Sequence, residues 1–152
     1  MKKILIFLAS AIIAFPAAAQ QAGSAAAEVR AAVEAFNGAY GGNRVDEYFS
    51  YYAEDAALYF YGARQSVSAY HEEWAETIGA GGRVVKNELS DIRVRVLPGG
   101  DAAVASYFID YAMRSADGNV ATARAFESDV WQKIDGEWKI VSLHYSEIAS
   151  AD

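Results

Sequence analysis

The chain has 152 residues, of which 53% are hydrophobic and 13% aromatic, and its 13 basic and 20 acidic side chains give a formal net charge of −7. This length fits one domain with one core, and the acidic balance disfavours nucleic acid as a partner. The sequence contains no cysteine, which excludes disulfides, thiol nucleophiles and thiolate metal sites.

The N-terminus has the features of a secretory signal peptide. Two lysines precede an apolar stretch over residues 4–15, and the alanines at 17–19 offer an A-x-A cleavage site. No later segment approaches the roughly 20 apolar residues of a membrane span. We expect a signal peptide over residues 1–19, cleavage before Gln20, and a periplasmic or secreted protein that does not contact the membrane after cleavage. Loss of the two lysines leaves 11 basic and 20 acidic residues, a net charge near −9.

Helical periodicity follows the signal peptide. Residues 20–27 are Ala-rich and are predicted to be disordered, ahead of one domain over residues 28–148. Ser24 as N-cap and the Gly41-Gly42 pair as terminator bound a first amphipathic helix. A second, short helix is expected after the cap Asn43. Residues 66–82 are expected to form a third, with one apolar stripe made by Val67, Tyr70, His71, Trp74 and Ile78.

The later part of the chain has the period of strands. After an early strand over residues 57–61, the sequence predicts four long strands at 84–97, 102–114, 121–134 and 138–148. Short turns with glycine separate them. Helices followed by an antiparallel sheet are typical of an α+β fold, in which a curved sheet packs helices on one face.

Three segments resemble a known family. They are "YAEDA" at the end of the second helix, "YHEEW" in the third, and "VWQKIDGEWKIVSLHYS" in the last hairpin. They resemble the SnoaL-like group of the nuclear transport factor 2-like superfamily, and within it the association domain of calcium/calmodulin-dependent protein kinase. The resemblance implies a cone-shaped curved antiparallel sheet with three N-terminal helices enclosing a pocket. It also implies a homodimer formed through the sheet, whose outer face is expected to carry Val104, Phe108, Phe126, Val130 and Ile140.

The register of the last hairpin decides the neighbours of Glu127 and Asp129. Strand side chains alternate, so these two carboxylates share one face of their strand. A two-residue turn would place Asp129 opposite Ser142 and Glu127 opposite His144. A three-residue turn with Gly136 as the bulge residue would instead place them opposite Val141 and Leu143. The resemblance favours the second register.

The resemblance also implies which residues line the pocket. The kinase domain carries arginines at the positions of Ile109, Asp129 and Tyr145, so the pocket of this chain is expected to be neutral to acidic and not to favour small carboxylates. The expected ligand-binding residues come from three neighbouring strands, the third helix and the first strand: Tyr107, Ile109, Tyr111, Glu127, Asp129, Leu143, Tyr145, His71, Trp74 and Tyr59.

General acid–base catalysis is the chemistry that such a wall could support. A carboxylate in a dry aromatic cavity has a raised pKa, and a nearby hydroxyl can stabilise an oxyanion. Asp129 is the candidate base, with Tyr145, Tyr59 or His71 as its hydrogen-bond partner. In the alternative interpretation, Glu127 and Asp129 pair with Arg114, Arg124 or a backbone donor at the mouth of the cone.

The functional expectation has three forms. The first is a protein that binds a small molecule in the central pocket, and the second is an isomerase, dehydratase or cyclase that uses Asp129 as general base. The third is a non-catalytic oligomerisation scaffold. His71 and His144 are the only histidines and have no metal-binding spacing, so neither a metal nor a cofactor is expected.

Overall fold

The structure, a computed structural model, describes the backbone of residues 17–149 and the side chains of residues 21–149. Residues 1–16 of the expected signal peptide therefore lie outside the described residues. Within the described part of the chain, no helix is long and apolar enough to cross a membrane.

Three helices and a six-stranded sheet form the domain. The elements in chain order are α1 (Ala17–Gly41), α2 (Val45–Phe49), β1 (Tyr52–Phe60), β2 (Ala63–Gln65), α3 (Val67–Gly79), β3 (Arg83–Val96), β4 (Ala102–Arg114), β5 (Val120–Ile134) and β6 (Glu137–Glu147). The strand order is β2-β1-β6-β5-β4-β3, and only the β1–β6 pair is parallel. The expected α+β architecture, with helices packed on a curved sheet, is confirmed, and the sheet is unclosed. The parallel β1–β6 pair departs from the fully antiparallel sheet that was expected.

Helix α1 begins earlier than the sequence predicted. Residues 20–27, which we expected to be disordered, belong to this helix. Alanine has the highest helix propensity, and Ala25 is 5% exposed in the core, so burial adds to local preference. Ser24 is consequently not an N-cap, and its hydroxyl donates to the Gln21 carbonyl inside the helix at 3.0 Å.

Asn43 has a different role from the predicted cap. Its backbone is left-handed, with φ of 57°, and its side chain pairs with β3. The amide oxygen accepts from the Val84 N–H at 2.7 Å, and the amide nitrogen donates to the Val84 carbonyl at 3.0 Å. Arg44 occupies the N-cap of α2 without a side-chain cap. Asn43 therefore joins the α1–α2 turn to the start of β3.

The core lies between α1 and the inner face of the sheet. Its largest fully buried side chains are Trp131, Tyr107, Phe36, Leu58, Ile140, Leu143, Val29 and Val33. Asp129 is buried among them. Alternation along β4 and β5 explains this arrangement, because every second residue faces the helices.

The β5–β6 hairpin begins in the register of the two-residue turn and leaves it before it reaches the two carboxylates. Asp135 and Gly136 both have positive φ, 51° and 87°, and form the two-residue turn that pairs Ile134 with Glu137. A bulge then shifts the register beyond the Trp131–Ile140 pair. As a result Asp129 lies opposite Leu143, and Glu127 lies opposite Tyr145.

The same bulge changes the outer face of the sheet. Ile140 is fully buried, so it does not lie on the outer face as expected. One extra residue in β6 reverses which side chains point inward before and after the bulge. The outer face retains an edge-to-face pair of Phe108 and Phe126, with ring centroids 5.5 Å apart.

Candidate binding cavity

A cavity of about 470 Å³ lies between the helices and the inner face of the sheet. Most of its wall is aromatic, since all three helices and strands β1, β4 and β6 direct rings toward it. The aromatic lining residues are Phe36, Tyr40, Tyr48, Phe60, Tyr61, Tyr70, Trp74, Tyr111 and Tyr145. Cavities of this size and composition are typical of small-molecule sites.

The polar part of the wall is small and acidic. Its charged members are Glu73 near the mouth and Glu127 on β5, and among the described residues no lysine, arginine or histidine lines the cavity. The remaining lining residues are Asn37, Gln65, Asn87, Ala63, Ile109 and Met113. Glu73 accepts a hydrogen bond from Gln65 Nε2 at 2.9 Å.

Glu127 belongs to a buried cluster with Tyr107 and Asp129. The Tyr107 hydroxyl contacts Glu127 Oε1 through a very short hydrogen bond and lies 2.7 Å from Asp129 Oδ2. It also accepts from Asn37 Nδ2 at 3.1 Å. Glu127 is 5% exposed and Asp129 is fully buried. Of this cluster, only Glu127 and Asn37 reach the cavity wall.

The geometry of the cluster requires a shared proton. A tyrosine hydroxyl has one proton, so it can donate to only one carboxylate at a time. Both short contacts are hydrogen bonds only if one carboxyl group is protonated and donates back to the phenol oxygen. Asp129 Oδ1 has no hydrogen-bond partner, which makes a full charge on Asp129 still more costly. The cluster therefore holds at least one carboxyl proton.

Burial raises the pKa of both carboxyl groups. Desolvation raises the pKa of Glu127 to about 7, and the hydrogen bond from Tyr107 opposes this shift. The pKa of Asp129 is also raised well above its usual range, first by burial and then by the charge of Glu127. Two interacting acids of this kind titrate as a pair.

Two asparagines support the cluster from α1 and β3. Asn37 Nδ2 donates to the Val33 carbonyl at 3.1 Å as well as to the Tyr107 hydroxyl. Asn87 Nδ2 donates in turn to the backbone carbonyl of Asn37 at 3.0 Å. Asn87 also lines the cavity, and its Oδ1 is buried without a hydrogen-bond partner.

Tyrosines surround Glu147 at the rim of the cavity. The hydroxyls of Tyr61 and Tyr111 donate to Glu147 Oε1 at 2.7 and 3.0 Å. The Tyr145 ring lies 5.7 Å from the Tyr61 ring and 6.4 Å from the Tyr111 ring. Partial burial raises the pKa of Tyr145 far above its ordinary value, so these phenols remain neutral at physiological pH.

The structure divides the residues predicted for the site into three groups. Five line the cavity: Trp74, Ile109, Tyr111, Glu127 and Tyr145. Three are buried behind the wall: Tyr107, Asp129 and Leu143. Tyr59 and His71 lie away from the cavity.

Asp129 does not have the position that a general base needs. It is fully buried and lies behind Glu127, because alternation along β5 directs both carboxyl groups inward and core side chains cover Asp129. Neither acid pairs with Arg114 or Arg124 at the mouth. Arg124 instead contacts Asp110 at 3.3 Å.

Tyr59 and His71 were predicted to line the pocket, but their side chains point away from it. Tyr59 is 39% exposed, and its neighbour Phe60 takes the inward position. The His71 ring stacks on Phe49, with centroids 4.4 Å apart, and its Nε2 lies 3.5 Å from Asp46 Oδ1. This packing at the α2–α3 contact separates His71 from the carboxylate cluster.

Sequence reasoning missed the polar residues of α1 and β3. Asn37 follows Phe36 on the buried side of α1. A polar residue on the apolar face of a predicted helix could have indicated a buried polar contact there. Asn87 had no such signal, because β3 is half-exposed along its length. Within the described residues, no group of three His, Cys, Asp or Glu side chains could hold a metal ion.

The chain is similar in fold to solved structures of proteins with different functions. A nuclear transport factor 2-like protein of unknown function from Rhodospirillum rubrum is 23% identical, with 76% of this chain and 94% of that chain covered and a TM-score of 0.66. The calcium/calmodulin-dependent protein kinase II hub homology domain from Chlamydomonas reinhardtii is 24% identical, with coverages of 82% and 98% and a TM-score of 0.67. A protein assigned as a scytalone dehydratase from Novosphingobium aromaticivorans is 14% identical, with coverages of 86% and 89% and a TM-score of 0.74.

At these identities the solved structures establish the fold alone. No curated protein sequence matches the chain. Residues 29–150 match the family model for the SnoaL-like domain. The chain therefore belongs to the SnoaL-like domain family, within the nuclear transport factor 2-like fold.

Proposed function

We propose that this protein binds a small, largely apolar molecule in its central cavity. The observation that carries the proposal is an open cavity of about 470 Å³ with nine aromatic side chains on its wall. Buried aromatic rings supply large contact area, while a few polar groups fix the orientation of a ligand. Apart from the tyrosine hydroxyls, the polar groups on this wall belong to Asn37, Gln65, Glu73, Asn87 and Glu127.

The packing of the wall favours binding over a purely structural role. Trp74 stacks on Tyr40 with ring centroids 5.1 Å apart, which leaves the indole on the wall and the cavity open. A scaffold that functions only by assembly gains nothing from such a space, because filling it with side chains would stabilise the fold. A kinase hub domain has a similar fold, so ligand binding does not conflict with oligomerisation of this protein.

A neutral solvatochromic dye tests the binding proposal. Nile red should bind with blue-shifted emission, and Ala63→Trp should weaken binding at least about tenfold, because Ala63 lines the cavity. Ala35→Trp is the matched control, since Ala35 is exposed on α1 and does not line the cavity. Equal dye binding by both variants would locate the dye elsewhere and contradict the proposal.

A second candidate function is acid–base catalysis with Glu127, rather than Asp129, as the base. Its supporting observation is a carboxyl group on an apolar wall whose pKa is raised to about 7. A base is most effective when its pKa is near the working pH. Tyr107 and Asp129 would position Glu127 and hold the cluster proton. The similarity in fold to a protein assigned as a dehydratase agrees with this class of reaction.

Deuterium exchange of a carbon acid tests the catalytic candidate without a known substrate. Glu127 would remove an α-proton from 2-tetralone, the electron pair would form the enolate, and deuterium from D₂O would return to carbon. Glu127→Gln should slow this exchange by about 10², whereas Glu137→Gln, an exposed acid paired with Lys139 at the β5–β6 turn, should not. Exchange at the buffer rate in wild type would reject catalysis and leave the binding proposal intact.

We also propose that the protein is exported and cleaved before Gln20. The support is the sequence pattern of residues 1–19. Expression of the full chain followed by fractionation and intact-mass measurement tests this. A product that keeps Met1 and remains with the cytoplasmic fraction would contradict it.

A further inference from the structure

We propose that the ligand of the cavity is an organic cation, an ammonium or quaternary ammonium group carrying apolar substituents. This inference rests on the proposed binding function and adds the charge class of the ligand. It is carried by three features of the wall: the sign of its charges, its aromatic faces, and the position of one buried carboxyl group.

The charges that face the cavity have one sign. Glu127 lies deep on the wall, Glu73 lies near the mouth, and Glu147 is attached to the rim through Tyr61 and Tyr111. Among the described residues no basic side chain lines the cavity. An anionic ligand would meet uncompensated repulsion in a low-dielectric space, whereas a cation would be attracted.

The aromatic wall provides the faces that bind cations. Tyr40 and Trp74 stack at the α1–α3 side, and the Phe60 ring lies 4.8 Å from the Tyr70 ring and 6.1 Å from the Tyr145 ring. Aromatic faces carry partial negative charge and attract ammonium groups, most strongly where water is excluded. This arrangement differs from a purely apolar pocket, because six of the nine rings are tyrosines and at least two donate their hydroxyl protons away to a carboxylate.

The carboxylate cluster would supply the counter-charge. Tyr107 keeps its phenol proton and Asp129 keeps one carboxyl proton, so loss of the Glu127 proton leaves a single negative charge at Glu127. A buried charge without a partner is costly, and a monovalent cation beside it would remove that cost.

Binding should therefore be coupled to proton release. A cation next to Glu127 favours its ionised form, so the affinity for the cation should rise as the pH increases through about 7. The other titratable groups around the site are acids and phenols: Glu73 and the tyrosines on the wall, Glu147 at the rim, and Asp129 and Tyr107 behind Glu127. A neutral ligand of the same shape should show no such dependence.

Three probes of similar shape test the charge class. Choline, the neutral 3,3-dimethylbutan-1-ol and the anionic 3,3-dimethylbutanoate should be titrated into the wild-type protein by calorimetry or ligand-observed NMR. We expect choline to bind at least about fivefold more tightly than the alcohol, and the anion to bind weakest. Tightest binding of the alcohol or the anion would overturn the cation assignment while leaving the binding proposal standing.

A variant without the Glu127 charge, compared with a control variant, tests whether Glu127 is responsible for the choline affinity. Glu127→Gln should lower choline affinity about tenfold and leave alcohol affinity unchanged, while Glu137→Gln should alter neither. If Glu127→Gln does not fold, the pH dependence of choline binding to wild type serves instead, and a flat profile between pH 6 and 8 overturns the proposal. Failure of choline to bind at millimolar concentration also overturns it, whereas the Nile red measurement decides the binding function independently.

Discussion

Two acidic side chains in the interior are stabilised by sharing protons rather than by ion pairs. Glu127 and Asp129 form no salt bridge among the described residues. Their contacts are with the Tyr107 hydroxyl, which Asn37 contacts from the other side. A neutral carboxyl group is far cheaper to bury than a carboxylate, so the native state holds protons that the unfolded chain releases.

The stability of the protein should consequently fall as the pH rises. The pKa of Glu127 in the folded state is about 7, above its unfolded value, so between about pH 5 and pH 7 the folded state binds more protons than the unfolded state. Linkage then gives a decrease in unfolding free energy of about 1.4 kcal/mol per pH unit for each proton of difference. Urea denaturation at intervals from pH 5 to 8 measures this slope.

Asp129→Asn provides the comparison for the pH experiment. It removes one of the two titrating groups and keeps the shape, so the decrease in stability with pH should become shallower. Glu137→Gln, which changes the net charge equally at an exposed site, should preserve the wild-type slope. A wild-type stability independent of pH over this interval would show that the cluster does not hold protons.

The Tyr107 hydroxyl should contribute more to stability than a neutral buried hydroxyl. Tyr107→Phe leaves two carboxyl groups and the Asn37 amide without their common partner, and we expect a loss of about 3 kcal/mol. Tyr52→Phe is the matched control, since the Tyr52 hydroxyl is buried 2.8 Å from that of Tyr48, and should cost about 1 kcal/mol. Equal losses in urea unfolding would contradict a special role for Tyr107.

At the level of elements, Asn43 connects helices to sheet. Asn43→Gly should preserve the left-handed backbone and lose both hydrogen bonds to Val84, whereas Asn43→Ala should lose the bonds and add backbone strain. We expect Asn43→Ala to be less stable than Asn43→Gly by about 1 kcal/mol. Thermal unfolding of the two variants gives this difference directly, and a more stable alanine variant would contradict it.

The bulge in β6 shows why the hairpin could not be read from sequence. The Asp135-Gly136 pair was recognised as a turn, and the two-residue form was one of the two registers considered. Nothing in the residues of β6 marks the extra residue beyond Ile140, because Ile140, Val141 and Leu143 are all apolar. Packing of Trp131 and Ile140 against α1 decides which side of the sheet each faces.

For the whole molecule, we predict a homodimer formed through the outer face of the sheet. This face carries Val104, Val130 and the Phe108–Phe126 pair, with the Arg124 guanidinium 5.2 Å from the Phe108 ring centroid. Half-exposed apolar residues of this kind are typical of interfaces between subunits. Light scattering at micromolar concentration should give twice the monomer mass.

Phe126→Glu tests the location of the dimer contact. A carboxylate in the centre of this face should convert the dimer to monomer, because a buried unpaired charge disfavours association. Ala35→Glu places the same charge on the exposed side of α1, away from the outer face of the sheet, and should leave the dimer intact. A monomeric wild type would contradict the prediction without affecting the fold.

The sequence by itself determined the order and approximate bounds of the elements, the α+β class and the family. Periodicity and turn residues are local properties, so strands β3 to β6 were predicted within a few residues of where they lie. The N-terminal part of α1 was one exception, because alanines that look unstructured alone become helical when Ala25 packs in the core. Residues 52–56, which were expected to end the second helix, instead begin β1, and β2 was not predicted.

Only the tertiary structure decided which carboxylate faces the cavity. The sequence placed Glu127 and Asp129 on one strand face, and their alternation with Phe126 and Ser128 is a local property. Their depth is not local. It depends on the bulge in β6, on Asn37 reaching Tyr107 from α1, and on the aromatic residues that three helices bring over the sheet. These long-range contacts bury Asp129 and leave Glu127 at the wall.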